Sequence, residues 1–382
     1  MERICSVRWD HRNCRCSGSA AIPGEAARRR RETRHTDGKS TIAIAGDCHT
    51  ERQRVWVFRN RRIQVCTACR ERRVAEVGRK ILVITGPTAS GKTGISLELA
   101  SRFNAEILSA DSRQVYERLD IGTAKPTVDQ LLSVPHHLIS HVPITSTYSA
   151  GTFFRESQDV IQDIQERGKV PLVVGGTGLY VRTLVEGIFD SPEVDPQLRE
   201  DLQSELEHRG IEPLFARLQQ LDPNAASFVP MTNHPRVLRA LEVCILTGQP
   251  YSRIRRERMK KPKHKVQVVG LRWNRDALYA RINSRVEQMM EQGFLDEVQD
   301  LLDRGIDPSS NALRTVGYKE AIAHLGGEYG KERMIELMKQ NTRRFAKRQY
   351  TWFRKERYID WIDVSDSTSA AEVTETIIDR WT

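Results

Sequence analysis

The pattern of apolar positions predicts buried strands alternating with amphipathic helices from residue 80 onward. The stretch Lys80–Thr85 is dominated by a continuous apolar run, too short for a helix and typical of a strand buried on both faces. Similar runs predict further strands at 106–110, 169–174 and 266–271. Apolar positions at helical spacing predict helices at 93–103 and 152–167. This alternation indicates an α/β fold with a parallel sheet flanked by helices, whose sites lie at the carboxyl ends of the strands.

The pattern also predicts how the chain is divided. From about 190 to 262 it becomes helical and charged without strands, which indicates an inserted helical lobe. We therefore expect a basic extension at 1–78, an α/β core at 79–189, the helical insertion at 190–262, and a return strand with C-terminal helices at 263–382 that completes the core.

The extension at 1–78 is arginine-rich, shows no clear period and holds six of the seven cysteines. A zinc site is one interpretation, but only Cys66 and Cys69 have a ligand spacing and no second pair completes a four-ligand set. A transit peptide fits the arginines but not the nine acidic residues. A disordered or mispredicted extension is the interpretation we favour.

Charge and composition narrow the function classes. The 382 residues carry a net charge of +10, yet residues 1–78 hold 18 basic against 9 acidic groups, and the remaining 304 hold 42 against 41. Only local clustering can therefore indicate a polyanionic partner of the main body. No apolar run is long enough to span a membrane, and seven cysteines are too few for a disulfide scaffold, so we expect a protein of the reducing cytoplasm.

A phosphate-binding loop follows the first buried strand. The segment Gly86–Thr93 matches GxxxxGK[ST] at every fixed position, directly between a predicted strand and a predicted helix. Its N–H groups and Lys92 would hold a diphosphate or triphosphate, and the Thr93 hydroxyl is the expected Mg²⁺ ligand. The eight predicted loop residues are Gly86, Pro87, Thr88, Ala89, Ser90, Gly91, Lys92 and Thr93. The motif predicts polyphosphate binding and does not specify what happens to the phosphate.

Two polar residues follow the next buried strands. Asp111 ends the strand at 106–110 and fits a Mg²⁺-holding acid, a general base or a helix N-cap. Thr177 stands among three glycines after the strand at 169–174, which indicates either close backbone approach to a ligand or a plain turn.

Two basic clusters stand out in the otherwise balanced body. One holds eight Lys or Arg within 253–265, and the other spans 343–357. On a helix, Arg343, Lys347 and Arg354 fall within about 40° of one another, opposite an arc with Phe345, Trp352 and Phe353 that we expect to pack inward. A single charged face is commonly just solvated, but two favour binding of RNA or DNA.

An ordered series of motifs resembles the tRNA dimethylallyltransferase family, also called tRNA isopentenyltransferases, over about residues 80–360. The series consists of Gly86–Thr93, Ser109–Pro126, Val174–Tyr180, Asn233–Val243, Leu313–Ala321 and Lys347–Arg354. The resemblance implies a P-loop NTPase-like core and transfer of a dimethylallyl group from its diphosphate to N6 of adenosine 37, in tRNAs that read codons beginning with U. The zinc finger of some eukaryotic relatives is missing, since no cysteine follows Cys244.

The resemblance also implies roles for single residues. Asp111 would accept the amine proton, and Thr177 and Arg199 would touch the reacting centre, with Arg199 near the leaving group. The helical insertion would clamp the anticodon stem, and the enzyme would act as a monomer. The implied tRNA contacts are Asp111, Ser112, Arg113, Gln114, Pro235, Arg236, Val237, Leu238, Arg239, Arg314, Thr315, Val316, Gly317, Tyr318, Lys319, Lys347, Arg348, Gln349, Tyr350, Thr351, Trp352, Phe353 and Arg354.

Three alternatives stay open at this point. A P-loop small-molecule kinase or NTPase would explain Gly86–Thr93 and Asp111 but not the helical insertion. An adenylate isopentenyltransferase would share the loop chemistry without the extended basic parts. A non-catalytic RNA-binding protein would not need intact Lys92, Thr93 and Asp111.

Overall fold

The computed structural model describes residues 42–43, 56–59, 62–65, 80–193 and 195–381. The chain divides into two compact units, one ending at Glu71 and one beginning at Arg72. In the first unit, three short strands pair antiparallel in chain order, where the sequence pattern predicts none: β1 (Ile42–Ala43), β2 (Trp56–Arg59) and β3 (Arg62–Val65). The zinc hypothesis concerns Cys5, Cys14, Cys16, Cys48, Cys66 and Cys69, which all lie outside the described residues.

A six-stranded parallel sheet forms the centre of the second unit. Its strands are β4 (Lys80–Thr85), β5 (Ala105–Ser109), β6 (His136–His137), β7 (Val170–Gly175), β10 (Lys265–Trp273) and β11 (Ile359–Val364). The order across the sheet is β11-β10-β4-β7-β5-β6. Ile84 of β4 pairs with Val174 of β7 on one side and Val269 of β10 on the other. The parallel α/β fold predicted from the alternating pattern is confirmed.

Helices cover both faces of this sheet, which is why its strands read as continuous apolar runs. Leu82 and Ile84 pack on the face covered by α1 (Lys92–Phe103), α10 (Arg275–Glu291) and α14 (Ala370–Trp381). Ile81 and Val83 pack on the opposite face, against α3 (Ala150–Glu166) and α4 (Gly178–Glu186). Alternate residues of one strand thus build two separate cores.

The remaining helices of the core surround the carboxyl end of the sheet. They are α2 (Val128–Ser133), α11 (Phe294–Asp303), α12 (Tyr318–Leu325) and α13 (Lys331–Phe353). The buried rings of Tyr116, Phe294 and Tyr318 and the side chain of Met338 form a third core there. The short strand β6, the edge strand β11 and the helix α14 are additions that the sequence pattern did not predict.

The inserted lobe is helical and has its own core. Its helices are α5 (Pro196–Arg209), α6 (Glu212–Leu221), α7 (Pro223–Phe228), α8 (His234–Thr247) and α9 (Tyr251–Glu257). They pack around buried residues such as Leu214, Leu218 and Leu241. The expectation of a strand-free lobe is wrong at its root, where β8 (Ile188–Phe189) pairs antiparallel with β9 (Met259–Lys260). A two-residue ladder is too short to leave a periodic signal.

No helix among the described residues has the length and apolar content needed to cross a membrane.

Candidate active site

The phosphate loop joins β4 to α1 in a conformation that depends on glycine. Gly91 caps α1 with a φ of 86°, and Gly86 opens the loop at 152°. A side chain on Gly86 would meet the Ser90 hydroxyl at 3.0 Å and the Leu271 carbonyl at 3.2 Å. Glycine is therefore required where the loop turns against β10.

The ammonium of Lys92 is held at the base of this loop. Its Nζ donates to the carbonyl oxygens of Pro87 at 2.8 Å and Gly86 at 3.1 Å. Burial lowers the pKa of Lys92 to about 8; Asp111 nearby acts to raise it and Arg285 to lower it. Burial also lowers the pKa of Arg285 below its usual value. Two half-buried cations beside one carboxylate make this region suited to an additional anion.

Side chains from the C-terminal part of the chain hold the backbone of the loop in place. The indole Nε1 of Trp273 donates to the Ser90 carbonyl at 3.0 Å, and Nε of Arg281 donates to the Ala89 carbonyl at 3.0 Å. The side chain of Gln349 accepts the Thr88 N–H at 2.9 Å. Side chains from β10, α10 and α13 thus fix the backbone of the loop at Ser90, Ala89 and Thr88.

Asp111 and Thr177 are brought together by the pairing of β5 with β7. The N–H of Ala110 donates to the Val174 carbonyl at 2.8 Å, and the N–H of Thr177 donates to the Ala110 carbonyl at 3.2 Å. The Thr177 hydroxyl accepts the N–H of Ser112 at 2.9 Å. A side chain on Gly175 would lie 2.2 Å from the Ala110 carbonyl oxygen, so the two loops can only approach this closely at glycine.

Asp111 closes a turn and does not cap a helix. Its Oδ1 accepts the N–H of Arg113 at 2.9 Å, and no helix begins there in the described part of the chain. The N-cap interpretation is therefore wrong. The turn fixes one carboxylate oxygen and aims the group into the cavity that lies beside the phosphate loop.

One cavity of about 1440 Å³ collects most of the predicted site residues. It is lined by the phosphate loop from Thr88 to Thr93, by Asp111, Ser112, Arg113, Gln114 and Thr177, and by Arg314, Thr315, Val316, Gly317, Lys319, Arg348 and Gln349. The polyphosphate loop, the strand-end carboxylate and two of the predicted tRNA-contacting stretches thus open into the same space.

The cavity also contains cations that the sequence analysis missed. Arg281 and Arg285 lie one turn apart on α10 and both line it, and Nη1 of Arg285 donates to the Thr88 hydroxyl at 3.4 Å. Their spacing of four residues on one helix face was a usable signal. It did not stand out because paired charges of this kind are common on solvated helices.

Arg199 lies outside this cavity. It belongs to α5 in the inserted lobe, where its guanidinium donates to both carboxylate oxygens of Glu242 at 2.7 and 2.9 Å. Arg239 donates to the same carboxylate at 2.6 Å. In this structure Arg199 joins two helices of the inserted lobe through Glu242, and its role near the leaving group stays a prediction.

Several residues in the predicted tRNA-contacting stretches are core residues. The side chains of Val237, Tyr318 and Phe353 are fully buried. For these three side chains the prediction of RNA contact is wrong, because they are buried while neighbouring residues of each motif, such as Arg236 and Arg354, are exposed at the surface. The prediction that Phe345 packs inward is also wrong. Its side chain is 37% exposed and lines the cavity.

A second, basic cleft of about 540 Å³ lies between the inserted lobe and α13. Its lining residues are Arg182, Asn233, Arg236, Lys347, Arg348, Thr351, Trp352 and Lys355, without an acidic side chain. The Arg182 guanidinium stacks 4.6 Å from the centre of the Trp352 ring. Arg348 lines both this cleft and the large cavity, so the two spaces adjoin across α13.

Ligands for a divalent cation are few but of the right type. Thr93 and Asp111 both line the cavity and offer hard oxygen ligands. Within the described ranges, no three His, Cys, Asp or Glu converge into a metal site. Mg²⁺ is usually bound by one or two protein oxygens together with substrate phosphates and water. The donor set therefore fits a cation that binds with a diphosphate.

Comparisons with known proteins show which family this sequence matches. The IPP transferase family model matches residues 114–356. A tRNA dimethylallyltransferase from Salinibacter ruber is 45% identical over 298 residues, 78% of this chain and 91% of the relative.

Solved structures of tRNA isopentenyl- and dimethylallyltransferases are also similar to this chain. A tRNA isopentenylpyrophosphate transferase from Bacillus halodurans is 39% identical with a TM-score of 0.58, over 79% of this chain and 97% of that one. A eukaryotic dimethylallyltransferase acting on tRNA is 29% identical with a TM-score of 0.69, over 79% of both chains. This chain belongs to the IPP transferase family.

Proposed function

We propose that this chain transfers a dimethylallyl group from dimethylallyl diphosphate to N6 of adenosine 37, in tRNAs that read codons beginning with U. The observation that carries the proposal is the shared cavity: the phosphate loop and Asp111 open into one space, next to a cleft lined by cations. Relatives named tRNA dimethylallyltransferase, 40–45% identical to this chain, support the choice of reaction.

The phosphate loop holds the leaving group. As N6 attacks C1 of the dimethylallyl group, the bond between C1 and the diphosphate oxygen breaks and negative charge gathers on the diphosphate. Lys92 and Arg285 line the cavity beside the loop, and we expect these two cations and the loop N–H groups to stabilise that charge as it develops. The Thr93 hydroxyl would help to hold a Mg²⁺ ion, which would supply further charge neutralisation.

Asp111 serves the acceptor. The exocyclic amine of adenosine is a weak nucleophile because its lone pair is delocalised into the ring. The new N6–C1 bond leaves the nitrogen with a proton to lose, and the Asp111 carboxylate receives it. Thr177 holds the turn that carries Asp111, through its hydrogen bond with the Ser112 N–H.

The basic cleft binds the RNA backbone. Five of its eight lining residues are Lys or Arg, and Arg236 and Lys355 are well exposed. Phosphate groups of a tRNA stem are the ligand that such a surface fits. The target base then leaves the anticodon loop to enter the adjoining cavity, which costs less from a single strand than from a duplex.

The other functions fit the chain less well. A small-molecule kinase or an adenylate isopentenyltransferase would have no use for the inserted lobe and its basic cleft. A monomer in the cytoplasm is the simplest setting for the proposed enzyme, since the cavity and cleft are formed within one chain.

The proposal is tested by incubating the purified chain with labelled dimethylallyl diphosphate, Mg²⁺, an unmodified tRNA and a mixture of AMP, ADP and ATP, followed by analysis of the tRNA nucleosides and the free nucleotides. The expected product is N6-(dimethylallyl)adenosine in the anticodon loop. Labelling of free adenine nucleotides with unlabelled tRNA would point to the adenylate enzyme instead.

A further inference from the structure

Gln349 lies within a stretch predicted to bind tRNA, yet its amide is turned into the protein. The residue is only 8% exposed. Its Oε1 accepts the backbone N–H of Thr88 at 2.9 Å, and its Nε2 donates to the Gly176 carbonyl at 2.9 Å. Both ends of the amide are engaged by active-site loops.

One of these two loops serves the donor of the proposed reaction, and the other serves the acceptor. Thr88 is part of the phosphate loop that holds the leaving group. Gly176 precedes Thr177, whose hydroxyl accepts the Ser112 N–H beside Asp111. A continuous path of hydrogen bonds and single peptide links therefore runs from the diphosphate side to the carboxylate, and Gln349 is its central member.

The packing around Gln349 leaves the amide little freedom. A side chain on Gly176 would lie 2.5 Å from Nε2 of Gln349 and 3.3 Å from the Gly86 carbonyl oxygen. One turn further along α13, Trp352 packs so tightly against Gly178 that a side chain there would lie 2.3 Å from its ring. The ring of Trp352 thus requires glycine at 178, and a side chain at 176 would displace the Gln349 amide.

We infer that Gln349 is a positioning residue that sets the distance between the phosphate loop and the wall carrying Thr177 and Asp111. The inference rests on the proposed function. Displacement at C1 requires the attacking nitrogen, the carbon and the departing oxygen to lie nearly in line, and a misplacement of about 1 Å can cost about 10²-fold in rate. Without the two hydrogen bonds of the Gln349 amide, the distance between the two loops is no longer fixed.

The test compares Gln349→Met with wild type, since Met has a similar length and cannot replace the two hydrogen bonds. We expect kcat at saturating donor and tRNA to fall about 10- to 100-fold. The tRNA Kd and its salt dependence should stay within twofold of wild type, because the side chain makes no RNA contact. Gln340→Met, on an exposed position of the same helix, is the matched control and should change nothing.

A second pair of variants keeps the inference falsifiable. Should Gln349→Met not fold, Gln349→Glu carries the same measurement, because it retains an acceptor for the Thr88 N–H and opposes the Gly176 carbonyl with a carboxylate oxygen. Lys347→Gln shows what loss of an RNA contact looks like: a weaker tRNA Kd with a smaller salt slope.

Two results would overturn the inference. One is a kcat per folded enzyme within twofold of wild type for the Gln349 variants. The other is a rise in tRNA Kd with the smaller salt slope of Lys347→Gln. Absence of prenyl transfer by the wild-type chain itself would instead count against the proposed function.

Discussion

The hydroxyl of Thr177 accepts the backbone N–H of Ser112 at 2.9 Å, and this contact ties the glycine-rich loop after β7 to the turn that carries Asp111. Two strands that are 60 residues apart in sequence thus place one polar residue each at the same wall of the cavity. The carboxylate is held by its own turn as well, through the Arg113 N–H. Such a preorganised base has little to rearrange when the acceptor arrives.

Replacement of this base should slow the chemistry without weakening tRNA binding. Asp111→Asn keeps the size of the side chain and its acceptor for the Arg113 N–H, but removes the carboxylate. We expect kcat to fall about 10²-fold or more, as is typical for a general base. Single-turnover kinetics with saturating tRNA measure the effect, and a rate equal to wild type would remove Asp111 from this role.

The Lys92 ammonium gives the donor site a pH dependence. Its pKa of about 8 lies below the ordinary value because of burial, so the amine loses its charge as the pH rises through 8. Since a diphosphate binds the charged form better, its Kd should rise above pH 8, by up to about tenfold per pH unit.

Calorimetric titration with pyrophosphate between pH 7 and pH 9.5 measures this dependence. Lys92→Met serves as control: it should bind pyrophosphate more weakly and lack the inflection, while sharing any effect of the ligand's own ionisation. Identical profiles for the two proteins would contradict the assignment.

The basic cleft should account for part of the salt dependence of tRNA binding. Arg236→Gln and Lys355→Gln each remove one exposed cation from its lining. Each should raise the tRNA Kd and lower the slope of log Kd against log salt by about one. Arg333→Gln removes an exposed cation from the first turn of α13, away from the cleft, and should leave the slope unchanged. A slope insensitive to all three would place the RNA elsewhere.

A buried carboxylate on strand β5 should make stability fall in acid. Glu106 is 1% exposed and accepts hydrogen bonds from Arg167 and Lys169 at 2.8 Å, with His137 at 2.7 Å. The Arg167 hydrogen bond, helped by Lys169 and His137, holds the pKa of Glu106 near 2 against the opposing effect of burial. Its contribution is complete above about pH 4.5, the ordinary value, and is lost as the pH falls towards 2.

Glu106→Gln tests this contribution. The variant should be less stable by about 1.5–3 kcal/mol at pH 7, and the gap to wild type should narrow at pH 3. Denaturant unfolding at both pH values measures it. The exposed Glu117→Gln provides the control, and a gap that stays constant with pH would mean that the charge of Glu106 does not stabilise the fold.

Local signals predicted the part of the site that is contiguous in sequence. Gly86–Thr93 and Asp111 carry their chemistry in short motifs at strand ends, so their positions follow from the parallel sheet. The braces from Trp273, Arg281 and Gln349 arise only when the C-terminal part returns to the sheet, and no local pattern specifies that contact. The edge strand β11 gave no buried-strand pattern for a different reason, because its second and fifth residues, Asp360 and Asp363, are exposed and charged.

In the proposed reaction the Gly86–Thr93 loop binds the departing diphosphate of an allylic donor and not the terminal phosphoryl group of ATP. The purified chain can be given unmodified tRNA, Mg²⁺, carbon-labelled dimethylallyl diphosphate and terminally phosphorus-labelled ATP in one mixture. We expect one released pyrophosphate for each prenylated adenosine, with the ATP label intact. Release or transfer of the ATP label, with the allylic donor unconsumed, would contradict it.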